Sequence, residues 1–65
     1  MKIILNGEPR DVAVQTLAAL VDDAGFSERK IATAVNGDFV PAPARQDIEL
    51  SEGDRIEIVS PMQGG

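Results

Sequence analysis

Apolar and polar positions along the chain change period several times, and each change marks an element. Lys2-Ile3-Ile4-Leu5 is a β-branched apolar run that stops at Asn6-Gly7, a pair suited to a two-residue type I′ turn because both central positions take positive φ. Arg10-Asp11-Val12-Ala13-Val14 then alternates, with Val12 and Val14 on one face and Pro9 where a strand begins. The first two strands are therefore predicted to form an antiparallel hairpin. From Thr16, a good N-cap residue, the period lengthens: Leu17, Leu20, Val21 and Ala24 recur at helical spacing. Gly25 suits the left-handed position after a helix, and Phe26 is placed to fold back toward Val21.

Beyond the polar connection Ser27-Glu28-Arg29-Lys30, Ile31 to Val35 reads as a strand ending at a second turn, Asn36-Gly37. Phe39-Val40 is a short return strand cut off by Pro41. Pro41-Ala42-Pro43-Ala44 is expected to be loop, because prolines so close together do not serve a central strand. Asp47 to Leu50 is a turn or an edge strand. Ser51-Glu52-Gly53-Asp54 is turn chemistry, and it introduces the clearest strand, Arg55-Ile56-Glu57-Ile58-Val59.

This order predicts an α+β domain with one main helix packed across one face of a mixed sheet. If the first and last strands are neighbours, they run parallel at its centre, and Ile3, Leu5, Ile56 and Ile58 meet Leu17, Leu20 and Val21 in the core. The arrangement resembles the β-grasp fold of ubiquitin. Alternation sends Ile4 and Val59 to the opposite face, and Phe39 and Met62 extend that candidate partner-binding patch toward the C-terminus.

Composition removes several function classes. A chain of 65 residues is one small domain with little room for a deep pocket. It has no Cys and no His, so it holds neither a thiolate nucleophile nor an imidazole base, and no disulfide or zinc thiolate site. A net charge of −5 and only two aromatics, Phe26 and Phe39, argue against nucleic-acid binding. No apolar run is long enough to span a bilayer. The opening Lys2 to Leu5 run is too short and too soon interrupted for a secretory signal, so cytoplasmic residence and no membrane partner are expected.

What remains is the end, Ser60-Pro61-Met62-Gln63-Gly64-Gly65. Pro61 cannot donate to a sheet and should end the preceding strand. Residues 1–60 are expected to form the domain and residues 61–65 a flexible tail. Gly64 and Gly65 have no side chains, so this backbone suits a channel too narrow for any other residue. Gly-rich ends also occur simply as frayed termini.

Three separated motifs decide between these readings: the opening Lys2-Ile3-Ile4-Leu5-Asn6-Gly7-Glu8, the middle Ala34-Val35-Asn36-Gly37-Asp38-Phe39-Val40-Pro41, and the ending from Glu52 to Gly65. Together they resemble the sulfur-carrier (ThiS) family of thiamine biosynthesis along essentially the whole chain. The Pro41 to Arg45 segment is the least family-like part. The resemblance implies a carrier rather than an enzyme, with no bound cofactor. An E1-like adenylating enzyme would activate the Gly65 carboxylate with ATP and Mg²⁺, and a sulfur donor protein would convert it to a thiocarboxylate. Thiazole synthase would then receive the sulfur. Gly64 would thread the partner's channel. Other readings remain open at this point: a carrier serving molybdopterin or amino-acid synthesis, a ubiquitin-like modifier, or a plain interaction module.

Overall fold

The computed structural model describes residues 1–26 and 30–60. Strands β1 (Lys2–Leu5) and β2 (Glu8–Asp11) lead to the helix α1 (Leu17–Asp23), followed by β3 (Ala32–Val35), β4 (Asp38–Val40), a 3-10 helix (Ala42–Asp47) and β5 (Arg55–Val59). The five strands form one sheet in the order β2-β1-β5-β3-β4. β1 and β5 run parallel at its centre, and every other pairing is antiparallel. The mixed sheet with its helix is the predicted architecture.

Both hairpins form because an Asn-Gly pair supplies two left-handed residues in succession. Asn6 and Gly7 have φ of 51° and 86°, and Asn36 and Gly37 have 52° and 87°, as a type I′ turn requires. Such a turn has no slack, so the second strand resumes at once. β2 accordingly begins at Glu8, with Pro9 inside it opposite Ile4, rather than over Arg10 to Val14 as the alternation suggested. Pro9 is tolerated because β2 is an edge strand. The pairing continues past β2, where Val12 donates to the Met1 carbonyl at 2.8 Å and the Met1 amino group donates to the Val12 carbonyl at 2.9 Å.

Helix α1 starts where Thr16 leaves extended backbone and its hydroxyl accepts from the Ala19 amide at 3.1 Å. It ends at Gly25, φ 89°. There the Gly25 amide donates to Asp22 and the Phe26 amide to Val21, the paired bonds of a Schellman end. The exposed Asp22 and Asp23 face the unfavourable end of the helix dipole, where Arg10 offsets part of the charge at 4.0 Å from Asp23.

The core lies between α1 and the sheet. Ile3, Leu17 and Leu20 are fully buried, Ile56 and Ile58 nearly so, and Leu5, Val12, Val21, Val40 and Leu50 complete the cluster. Among the described residues no helix is long and apolar enough to cross a membrane.

Two further segments differ from the sequence expectation. Pro41 to Ala44 is not open loop, because most of it enters the 3-10 helix, with Pro43 in the first turn where a missing N–H costs nothing. Asp47 to Leu50 forms neither edge strand nor turn alone. It makes one antiparallel bridge, Thr16 to Glu49, closed by bonds from Leu17 to Ile48 and from Leu50 to Gln15. That bridge pins the start of the helix to the segment before β5.

Candidate functional site

Alternation fixes two faces of the sheet. Since Ile3, Leu5, Ile56 and Ile58 are buried, the residues between them (Lys2, Ile4, Arg55, Glu57 and Val59) stand on the face away from α1. Register adds Pro9 and Asp11 from β2, Ala32 and Ala34 from β3, and Phe39 from β4.

Four apolar members of this open face gather on one side. Phe39 is 69% exposed and Val59 is 56% exposed. Val59 lies opposite Ala32, and Phe39 opposite Ala34 on the same strand, so the four make a strip across β5, β3 and β4. Ile4 shares the face but stands apart and is half-buried rather than exposed. Its register partner is Arg55, at the opposite end of β5 from Val59, about 13 Å away at the usual rise per residue. β1 stops at Leu5 and turns at Asn6-Gly7 before reaching the level of Val59. Between the two hairpin turns Ile4 lines a shallow groove with Gly7, Asn36, Gly37, Arg55 and Glu57. Met62, Gly64 and Gly65, and with them the expected tail over residues 61–65, lie outside the described residues.

Sequence reasoning treated Asn6 and Asn36 only as turn residues and so missed a second role. The Asn6 side chain accepts from the Ile58 amide at 2.9 Å and donates to the Ile58 carbonyl at 3.1 Å. The Asn36 side chain accepts from the Arg55 amide at 3.0 Å and donates to Asp54 Oδ1 at 3.1 Å. Two carboxamides thus hold β5 at its two ends. A signal was present in the residue type: among residues that accept positive φ, only Asn carries both a donor and an acceptor in the geometry of a peptide group.

The Pro41 to Arg45 segment, the part with no expected role, also contributes to support. Arg45 Nε donates to Thr33 Oγ1 at 3.0 Å and its terminal nitrogen to the Ile31 carbonyl at 2.9 Å. The Thr33 hydroxyl, on a residue only 1% exposed, in turn donates to the Val40 carbonyl at 2.7 Å. The chain of bonds ties the 3-10 helix beneath β3 and β4 and braces the strands that carry the apolar strip.

Chemically, the described residues offer recognition: a flat, partly apolar face on a sheet whose central strand runs directly toward the C-terminal residues. No group of three or more acidic side chains among them is placed to hold a metal ion.

Similarity to known proteins matches this geometry. The ThiS family model covers residues 3–65. The chain belongs to the ThiS family. Sulfur carrier protein ThiS from Thermus thermophilus is 34% identical over 61 residues, covering 94% of this chain and 95% of that protein. A thiazole synthase from Paramagnetospirillum magneticum is 36% identical over 66 residues, all of this chain, which spans only 20% of that relative's length. The crystal structure of the thiamine biosynthesis protein ThiS from Geobacter metallireducens superposes with a TM-score of 0.83 at 22% identity, each chain fully covered. That likeness establishes the shared β-grasp fold.

Proposed function

We propose that this chain is a sulfur carrier of thiamine biosynthesis that bears its cargo as a thiocarboxylate on Gly65. The observation that carries this reading is family membership extending through Gly65, together with similarity to a sulfur carrier over nearly the full length of both chains.

A glycine carboxylate is a poor electrophile because its charge is delocalised. In the proposed cycle an E1-like adenylating enzyme uses ATP and Mg²⁺. The Gly65 carboxylate oxygen attacks the α-phosphorus of ATP and pyrophosphate leaves, giving an acyl-adenylate. A sulfur donor protein then supplies sulfur at sulfide oxidation level, AMP departs, and the thiocarboxylate remains. Thiazole synthase is the proposed acceptor, a role favoured by the similarity of this chain to part of one such enzyme. The carrier acts as co-substrate, and all acid, base and metal chemistry belongs to its partners.

In this reading Val59, Phe39 and the half-buried Ile4 present the partner-binding face with Met62, and Gly64 lets the backbone enter a narrow adenylation channel. The test is growth. A strain lacking this chain should require the thiazole moiety of thiamine, and the wild-type chain should restore growth where a chain ending at Gln63 does not. Normal growth without thiazole, or a molybdopterin requirement in its place, would overturn the assignment.

A further inference from the structure

The open question about a carrier of this kind is what fixes the point where its C-terminal segment departs. β5 ends at Val59, and successive residues of a strand offer their N–H and C=O groups to opposite sides. Arg55 turns both groups toward the β3 side, where Asn36 satisfies them. Ile56 and Ile58 turn theirs toward β1.

The β1 ladder serves only the first of these two. The Asn6 amide donates to the Ile56 carbonyl at 2.9 Å, and then the backbone leaves β5 at Asn6, φ 51°. Ile58 comes after β1 has turned away. Its amide and carbonyl are met by the Asn6 carboxamide, which stands where the next peptide group of a longer β1 would have stood. On that side the last turn-free stretch of β5 is held by one side chain.

We infer that Asn6 is a positioning residue for the sulfur-loading reaction: by clamping Ile58 it fixes the direction in which the chain runs on from Val59 toward Gly65. The inference rests on the carrier reading above. Asn6 acts through the strand, its carboxamide bonding both polar groups of the Ile58 backbone. With the clamp gone, β5 keeps its pairing to β3 through Ala32 to Val35 and its buried Ile56 and Ile58, so the body and its docking face persist. The end of β5 is then held from the β3 side alone, Val59 through Ala32, so the chain leaves the strand over a wider range of directions and the carboxylate occupies the adenylation site for a smaller fraction of the time.

Asn36 provides an internal control. It sits in an equivalent turn with nearly the same φ, and its carboxamide also holds β5, at the Arg55 amide and the Asp54 carboxylate, but at the opposite end of the strand from the exit. Asn6→Gly and Asn36→Gly each keep a residue at ease with positive φ and remove only the carboxamide.

The experiment measures single-turnover loading of intact protein by the cognate adenylating enzyme with ATP and a sulfide source, across a range of enzyme concentrations and well below the melting temperature of every variant. Asn6→Gly should lower the maximal loading rate roughly five- to tenfold, the equivalent of one or two lost hydrogen bonds, with the half-saturating enzyme concentration unchanged. Asn36→Gly should lose comparable thermal stability and load at the wild-type rate. Equal rates for wild type and Asn6→Gly, or equal losses for both variants, would overturn the inference and leave the carrier reading intact. Failure of the wild type to load would overturn both.

Discussion

Arg45 Nε lies 3.0 Å from Thr33 Oγ1, and through that contact a surface turn is fastened to a side chain that is 1% exposed. Arg45→Met keeps the packing stem and removes both guanidinium bonds, so it should cost about 1–2 kcal/mol. For a domain of this size the melting temperature should then fall by roughly 4–8 °C per kcal/mol. Thr33→Val should cost about 1–3 kcal/mol, because it removes the hydroxyl bond to the Val40 carbonyl and leaves the Arg45 Nε donor without its acceptor in a part-buried setting. A double-mutant cycle should show the two losses to be less than additive. Unchanged melting of Arg45→Met would show that the contact carries no stability.

The two ends of the open face should respond differently to charge. Val59 is 56% exposed, so Val59→Glu is expected to leave melting within about 0.5 kcal/mol of wild type while weakening association with the adenylating enzyme at least tenfold. Ile4 is half-buried beside Arg55, so Ile4→Glu should lower stability as well as binding. Titration calorimetry and thermal melting on the same samples check both. Undiminished binding by Val59→Glu would move the docking surface off the strip formed with Ala32, Ala34 and Phe39.

Gly25 ends α1 with φ 89°, and among the described residues other than its chain neighbours no heavy atom lies within 4 Å of where a Cβ would stand. Gly25→Ala should therefore cost about 1 kcal/mol through backbone strain alone. In urea the midpoint should fall with an unchanged slope. A loss several times larger would mean that the helix end makes a contact beyond the Schellman bonds.

Legibility in the sequence followed the range of the interaction. Both Asn-Gly turns, the Thr16 cap, the Gly25 stop and the strand Arg55–Val59 could be read directly, because each depends on neighbours within a few residues. The core followed from alternation once β1 and β5 were placed side by side. The bounds of β2 were misread because apolar alternation at Val12 and Val14 outweighed the strict geometry of the preceding turn. The 3-10 helix was missed because what holds it is Arg45 reaching Thr33 and Ile31, residues distant along the chain. The Asn6 clamp was hidden for the same reason: Ile58 lies 52 positions away, and nothing local distinguishes a clamping Asn from one that only turns. Alternation assigned Ile4 and Val59 to one face, but only the β1–β5 register shows that they stand at opposite ends of it.

At the proposed threading position, Gly64→Ala adds one methyl group and restricts φ. It should slow loading by the adenylating enzyme at least tenfold and leave the melting temperature unchanged, since residues 1–60 hold the core. Loading at the wild-type rate would show that the channel does not require glycine there.

The central claim is that Gly65 is the loaded residue. The most direct measurement is the intact mass of the protein after incubation with ATP, Mg²⁺, the adenylating enzyme and a sulfur donor, followed by fragmentation, with a chain extended by one residue beyond Gly65 run in parallel. The account predicts replacement of one oxygen by one sulfur, located at Gly65, and no change in the extended chain. Sulfur found elsewhere, or equal loading of the extended chain, would contradict it.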